Sequence, residues 1–151
     1  MMILTTLLVA GGGFPNAPPW GHSGQPGTDN CTACHWDNDA QLDSPRLLLD
    51  GLPDHFVPGE SYELTVRLAD AGDVNGFQLV TSSGEFDSPD RTTRSRDAGA
   101  RSTRPAGEWT VTWIAGDSDG PVTFWLAIND ANGDGSEFGD TILLQSFEVL
   151  R

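Results

Sequence analysis

The sequence predicts an all-β protein, a sandwich of two sheets preceded by an irregular segment. Three observations lead there. Several runs of five to ten residues alternate apolar and polar side chains with a period of two, the mark of half-buried strands. The stretches between those runs are rich in Gly, Pro, Asn and Asp, with 18 Gly and 10 Pro in 151 residues, as expected of short turns between strands. No stretch shows a sustained 3.6-residue apolar period, so no helical layer is available to cover a sheet, and two sheets must cover each other.

Taken in order, residues 1–13 (MMILTTLLVAGGG) form an apolar run followed by small residues, the pattern of a signal-peptide core, although no positive charge precedes it. The run is too short to span a bilayer. Residues 14–45 follow as an irregular segment, dense in Pro and Gly up to Thr28 and without periodicity. The sandwich is expected over 46–151. Its strands are 46–50, then 61–70, where Tyr62, Leu64, Val66 and Leu68 share one face, then 77–81, 109–113, 122–128 and 141–150. In the run 122–128 both faces are apolar, as in an inner strand. The polar stretch 85–107 holds five of the eight arginines (Arg91, Arg94, Arg96, Arg101 and Arg104) and reads as a long solvated hairpin loop with at most a weak strand inside it.

The strongest chemical signal is Cys31-Thr32-Ala33-Cys34-His35, which uses both cysteines of the chain and follows them at once with a histidine. This is the attachment signature of a c-type haem, in which two thiols form thioethers and the adjacent imidazole ligates iron. Two intervening residues make one tight turn, which puts both sulfurs on one porphyrin edge. Other readings of the same residues are a redox dithiol, which expects a βαβ context absent here, a zinc site, which lacks two further ligands of suitable spacing, and a structural disulfide in a secreted protein. With haem bound, His35 is the proximal ligand. Methionine occurs only at positions 1 and 2, so the sixth ligand falls to His22, to His55 in a loop between strands, or to water, with His22 preferred. A His/His pair gives a lower potential than His/Met. Trp20 and Trp36 flank the motif and are suited to shielding a porphyrin face. One or two of the five clustered arginines are candidates to pair with haem propionates.

A second constellation is Asp130-Ala131-Asn132-Gly133-Asp134-Gly135. Oxygen ligands at Asp130, Asn132 and Asp134 followed by Gly match the opening of a calcium loop, but the twelfth position is Thr141 rather than Glu and no helices flank it. Asn-Gly and Asp-Gly are equally good turn formers.

The charge balance is acidic, with 22 Asp and Glu against 8 Arg, no lysine and a net charge of −14. Such a chain repels nucleic acid and anionic membrane surfaces. It suits solubility, and it suits docking to a basic redox partner.

The run Leu52-Pro53, Phe56, Pro58-Gly59 and Tyr62, then Gly76-Phe77-Gln78-Leu79, Trp113, Gly120, Val122 and Phe124, and finally Asn129, Ala131-Asn132-Gly133 and Gly139-Asp140, resembles the reeler-like β-sandwich. It is more similar still to bacterial relatives described as choice-of-anchor domain proteins. The resemblance runs from about Gly21 to the C-terminus. It implies a reeler/immunoglobulin-like sandwich that is secreted or surface-exposed, with a Gly-rich lead-in (Ser23-Gly24-Gln25-Pro26-Gly27) and a Cys-x-x-Cys-His just upstream. The chain departs from those relatives in lacking a Thr-His pair within 90–104. It also stops at Arg151 directly after a strand, where relatives commonly carry a sorting tail, so nothing here supports covalent anchoring.

Together these features lead to the expectation of an extracytoplasmic (periplasmic, secreted or cell-surface) mono-haem c-type cytochrome performing one-electron transfer, a carrier rather than an enzyme. Covalent haem c is its cofactor, calcium a further candidate, and a redox protein its partner. No catalytic triad, carboxylate pair, P-loop or dinucleotide fingerprint is present. The alternative is a secreted structural or adhesion sandwich whose two cysteines form a disulfide.

Overall fold

Alternating side chains place the strands, and their inward faces make one core. The computed structural model describes residues 17–72 and 74–151; the apolar N-terminal run expected to be a signal peptide lies outside them. Ten strands follow in chain order: β1 (Gln41–Leu42), β2 (Leu47–Asp50), β3 (Ser61–Leu68), β4 (Gly76–Thr81), β5 (Glu85–Asp87), β6 (Thr93–Arg96), β7 (Gly99–Ser102), β8 (Glu108–Ile114), β9 (Val122–Asp130) and β10 (Thr141–Val149). One sheet has the order β1-β10-β9-β4-β7-β6 and the other β2-β3-β8-β5. All pairings are antiparallel except that of β1 with β10. The only helix among the described residues is a 3₁₀ turn, Cys31–Ala33.

The period-two reading holds in detail. Tyr62, Leu64 and Val66 of β3 lie opposite Trp113, Val111 and Trp109 of β8 on one side of the smaller sheet, with Leu68 opposite Leu47 of β2. They pack on Phe77, Leu79, Phe124, Leu126 and Ile128 from the larger sheet. Trp113 sits among Phe56, Tyr62 and Phe124, with ring centroids 5.7, 5.4 and 4.9 Å away, and its indole N–H donates to Ser83 O at 3.1 Å. A buried indole needs that acceptor.

The stretch 85–107 is corrected. It is not a solvated loop: it contains β5, β6 and β7. A tight hairpin joins β6 to β7 between the paired Arg96 and Gly99, with Asp97 in the left-handed region at φ 51°. Only Phe86 and Ala100 in this stretch reach the core. Strands of three or four residues with a single inward apolar side chain leave no readable alternation, and it is pairing with long neighbours that orders them.

The Pro/Gly-rich lead-in crosses the outer face of the larger sheet. Leu144, Ala127, Gln78 and Arg101 lie in register across β10, β9, β4 and β7, and the lead-in runs over this row. The Arg101 guanidinium donates to Pro18 O. The Gln78 side chain donates to Pro19 O at 2.7 Å and accepts from His22 N at 2.5 Å. Gly24 packs against Leu144. Trp20 lies against Gly99 of β7, beneath the guanidinium groups of Arg96 and Arg101 at 5.0 and 4.6 Å. A chain this poor in donors (Pro18, Pro19, Pro26) makes no ladder of its own, so side chains from the sheet satisfy its carbonyls.

Candidate functional site

The lead-in delivers the Cys-x-x-Cys-His pentapeptide to one end of the larger sheet. Ser23 and Asn30 form an antiparallel bridge that closes the loop between them, helped by a bond from Gly24 N to Asp29 O. Asn30 then caps the 3₁₀ turn, its side-chain oxygen accepting from Thr32 N at 2.8 Å, the usual work of an N-cap residue. Cys34 N and His35 N both donate to Cys31 O. This tight turn holds Cys31, Cys34 and His35 on one short stretch of backbone. Closing the 23–30 loop also brings His22 back to the motif: Cys31 Sγ lies 3.9 Å from His22 O.

Cys31, Cys34, His35 and His22 line one open cleft of about 610 Å³, within the size range of cofactor pockets. Its floor comes from the ends of β4, β7 and β9, including Phe77, Ser102 and Asn129, and its far wall from the β9–β10 loop. Three exposed apolar side chains surround it: Trp36 at 66% exposure, Phe138 at 46% and Val74 at 45%. Trp36 and Phe138 pack edge to face at 5.4 Å. Asp37 accepts from Gly139 N at 2.7 Å and Asn38 donates to Asp140 O at 3.2 Å, which ties the segment after the motif to the β9–β10 loop.

His35 meets a polar neighbour at each ring nitrogen. Its Nδ1 lies 2.8 Å from Asp140 Oδ2, and Asp140 is almost wholly buried, at 1% exposure. The approach is short but off the ring N–H axis, leaving Nδ1 without an aligned hydrogen bond. Asn129 Nδ2 lies 3.3 Å from Nε2, the nitrogen that would carry iron, so metal there would replace this contact. Asp140 also accepts from Asn132 N at 2.9 Å and from Asn129 Nδ2 at 3.1 Å. Sequence reasoning quoted Asp140 and Asn129 as family-like residues without giving either a role. Their nearness to His35 arises across more than ninety residues of chain, and no local pattern encodes it.

The two thiols are unbridged. Burial pushes the Cys31 thiol up from 9.0 to about 12, with a smaller push from Cys34 and an opposing backbone hydrogen bond. A reactive dithiol needs the reverse shift.

The other candidate residues sit elsewhere. His55 lies at the opposite end of the sandwich, bridged to Leu150, with Nδ1 3.0 Å from Arg151 O. None of the five clustered arginines lines the cleft, and Arg96 and Arg101 are engaged with Trp20. Trp20 therefore anchors the lead-in rather than flanking the cleft. In the calcium-like loop, Asp130 pairs with Arg46 at 2.8 Å. Asn132 accepts from Asp134 N. Asp134 is held below the usual carboxylate range by the backbone N–H and hydroxyl of Ser136 and the amide of Asn132. Among the described residues, no group of three or more His, Cys, Asp or Glu side chains is placed to hold a metal ion.

Similar folds are found among solved structures. The human F-spondin reeler domain matches with a TM-score of 0.58 at 20% identity, covering 75% of this chain and 92% of that one. The Reelin-N domain of F-spondin matches at 0.57 and 21%, covering 75% and 89%. The fold is reeler-like. No family model matches the sequence, and no curated protein matches it. The reeler-like sandwich accounts for the two sheets and the core; what the cleft at its end does is a separate question.

Proposed function

We propose that this reeler-like protein is an extracytoplasmic c-type cytochrome carrying one covalent haem, and that it is an electron carrier rather than an enzyme. The observation that carries the reading is the convergence of Cys31, Cys34, His35 and His22 on one cleft ringed by uncovered apolar side chains. Exposed aromatic surface of that kind calls for a cover, and the cleft's residues fit a porphyrin: apolar walls, two thiols on one turn, and an imidazole whose Nδ1 faces the buried Asp140 carboxylate. Haem bound there supplies a one-electron redox centre. The chain's part is to fix the thiols, to hold the His35 ring from its Nδ1 side and to exclude water with Trp36 and Phe77. His22 has its Nδ1 3.2 Å from Trp20 O, which leaves Nε2 as its free nitrogen for the sixth position. Attachment to this motif takes place outside the cytoplasm, which sets the localisation, and the acidic surface favours a basic redox partner. Among the described residues no helix is long and apolar enough to cross a membrane.

A second reading is a secreted structural or adhesion domain. It is favoured by the likeness to reeler domains and by a core that closes without the cleft, and in it Cys31 and Cys34 are oxidised to a disulfide. Protein matured in a host with c-type haem assembly separates the two. The expected result is a sharp reduced α-band that survives denaturation, a mass increase of one haem, and conversion to a high-spin spectrum in His22→Ala. Absence of Soret absorption, with a mass short by two hydrogens, overturns the cytochrome and leaves the structural domain.

A further inference from the structure

Among the described residues, no arginine lies within ion-pairing distance of the buried carboxylate behind His35. Asp140 is 1% exposed, and among the described residues the His35 imidazole is the one basic side chain within ion-pairing distance of it. The nearest part of the calcium-like loop offers no relief, because Arg46 is paired with Asp130. A carboxylate taken out of water requires compensation by hydrogen bonds and an opposite charge. Asn132 N donates to Oδ1, while Oδ2 is shared by Asn129 Nδ2 and His35 Nδ1. The β9–β10 loop, whose Asn and Asp residues imitate a calcium loop, is therefore built around Asp140, and Asp140 is built toward His35.

We propose that Asp140 is the positioning residue of the iron ligand. Its carboxylate holds the His35 ring with Nε2 toward the cleft, and its charge favours the oxidised over the reduced iron. This rests on the haem reading above. A carboxylate beyond a ligating imidazole fixes the tautomer and makes the ring a stronger donor, and a negative charge in a poorly solvated site stabilises the more positive oxidation state. The electron comes from an external one-electron donor, ferric iron becoming ferrous with no bond made or broken. The proposal requires the ring to settle with its Nδ1–H on the carboxylate once Nε2 carries metal in place of the Asn129 contact.

The experiment is spectroelectrochemical titration of the full haem-loaded chain. Asp140→Asn keeps the shape and an acceptor but removes the charge, and its midpoint potential shifts positive. Asn129→Ala removes the amide that shares Oδ2, concentrates the charge on His35 and shifts the potential negative. Asp119→Asn removes an exposed charge paired with Arg151 at the far end of the molecule, and its potential stays at the wild-type value. A merely structural role for Asp140 gives no pair of opposite shifts. An unchanged or negative shift in Asp140→Asn overturns the proposal. Should that variant not accumulate with haem, the sign of the Asn129→Ala shift decides alone, an unchanged or positive value overturning it. A wild-type chain without haem removes the reading beneath it, an outcome visible before any variant is made.

Discussion

Two thiols three residues apart occupy unlike surroundings. Cys34 is exposed, whereas Cys31 is half-buried with its sulfur 3.9 Å from His22 O, and burial pushes its thiol up to about 12. Because the thiolate is the nucleophile, iodoacetamide at pH 8 should label Cys34 well before Cys31 in reduced protein free of haem, as read by peptide mass spectrometry. Equal labelling would mean that the loop joining Ser23 to Asn30 does not close in solution. The same shift makes stability fall at alkaline pH. Between 9.0 and about 12 the unfolded thiol has lost its proton while the folded one keeps it, so the folded state binds more protons and is progressively disfavoured. The contribution is fully present below about pH 9 and is lost as pH rises toward 12. Denaturation midpoints of wild type and Cys31→Ser at pH 8 and 10.5 test this: the drop between the two pH values should be smaller in the variant.

At the scale of elements, β4 does two jobs with alternate residues. Phe77 and Leu79 face the core, and Gln78, fully buried on the opposite face, holds the lead-in through Pro19 and His22. Replacing it by Ala strands a carbonyl and an N–H under the lead-in, a cost of about 1–3 kcal/mol. Gln78→Ala should therefore raise amide exchange across 18–31 severalfold, while protection in β3, β8 and β9 stays near wild type. Unchanged exchange in the lead-in would show that the stacking of Trp20 suffices to hold it. The six strands expected from the sequence were legible because each carries at least two inward apolar residues at a period of two. β5, β6 and β7 were not, because one apolar side chain in a short polar run carries no period. β1, two exposed residues beside β10, had no signal at all.

For the molecule as a whole, Trp113 is the point where the two sheets meet. It belongs to β8, meets Phe124 of β9 edge to face and is fully buried. Truncating a buried Trp costs about 3–5 kcal/mol, against a total of roughly 5–15 kcal/mol for a domain of this kind. Trp113→Ala should lower the urea midpoint by about a fifth or more and unfold both sheets in one transition. A loss confined to the smaller sheet would show that the sheets are not one cooperative unit. The cleft lies at the other end of β9, beyond Asn129, so core and site are set by opposite ends of the same strand. That arrangement allows the lead-in and the β9–β10 loop to be specialised without disturbing the packing that holds the sandwich together.

By itself the sequence determined the fold class, the long strands and the compact Cys31–His35 turn, because each is written in local spacing: a period of two for burial on one face, and two residues between thiols for one turn. Only the tertiary structure decided which residues meet at the cleft. His22, the preferred candidate in sequence, arrives there because the Ser23–Asn30 bridge folds the lead-in back, whereas His55, the second candidate, is carried to the far end of the sheet. Asp140 and Asn129 come to His35 through the antiparallel pairing of β9 with β10 and the tie from Asp37 and Asn38. Contacts between residues about a hundred positions apart depend on strand order and register, and those are fixed by packing of the whole chain rather than by any segment of it.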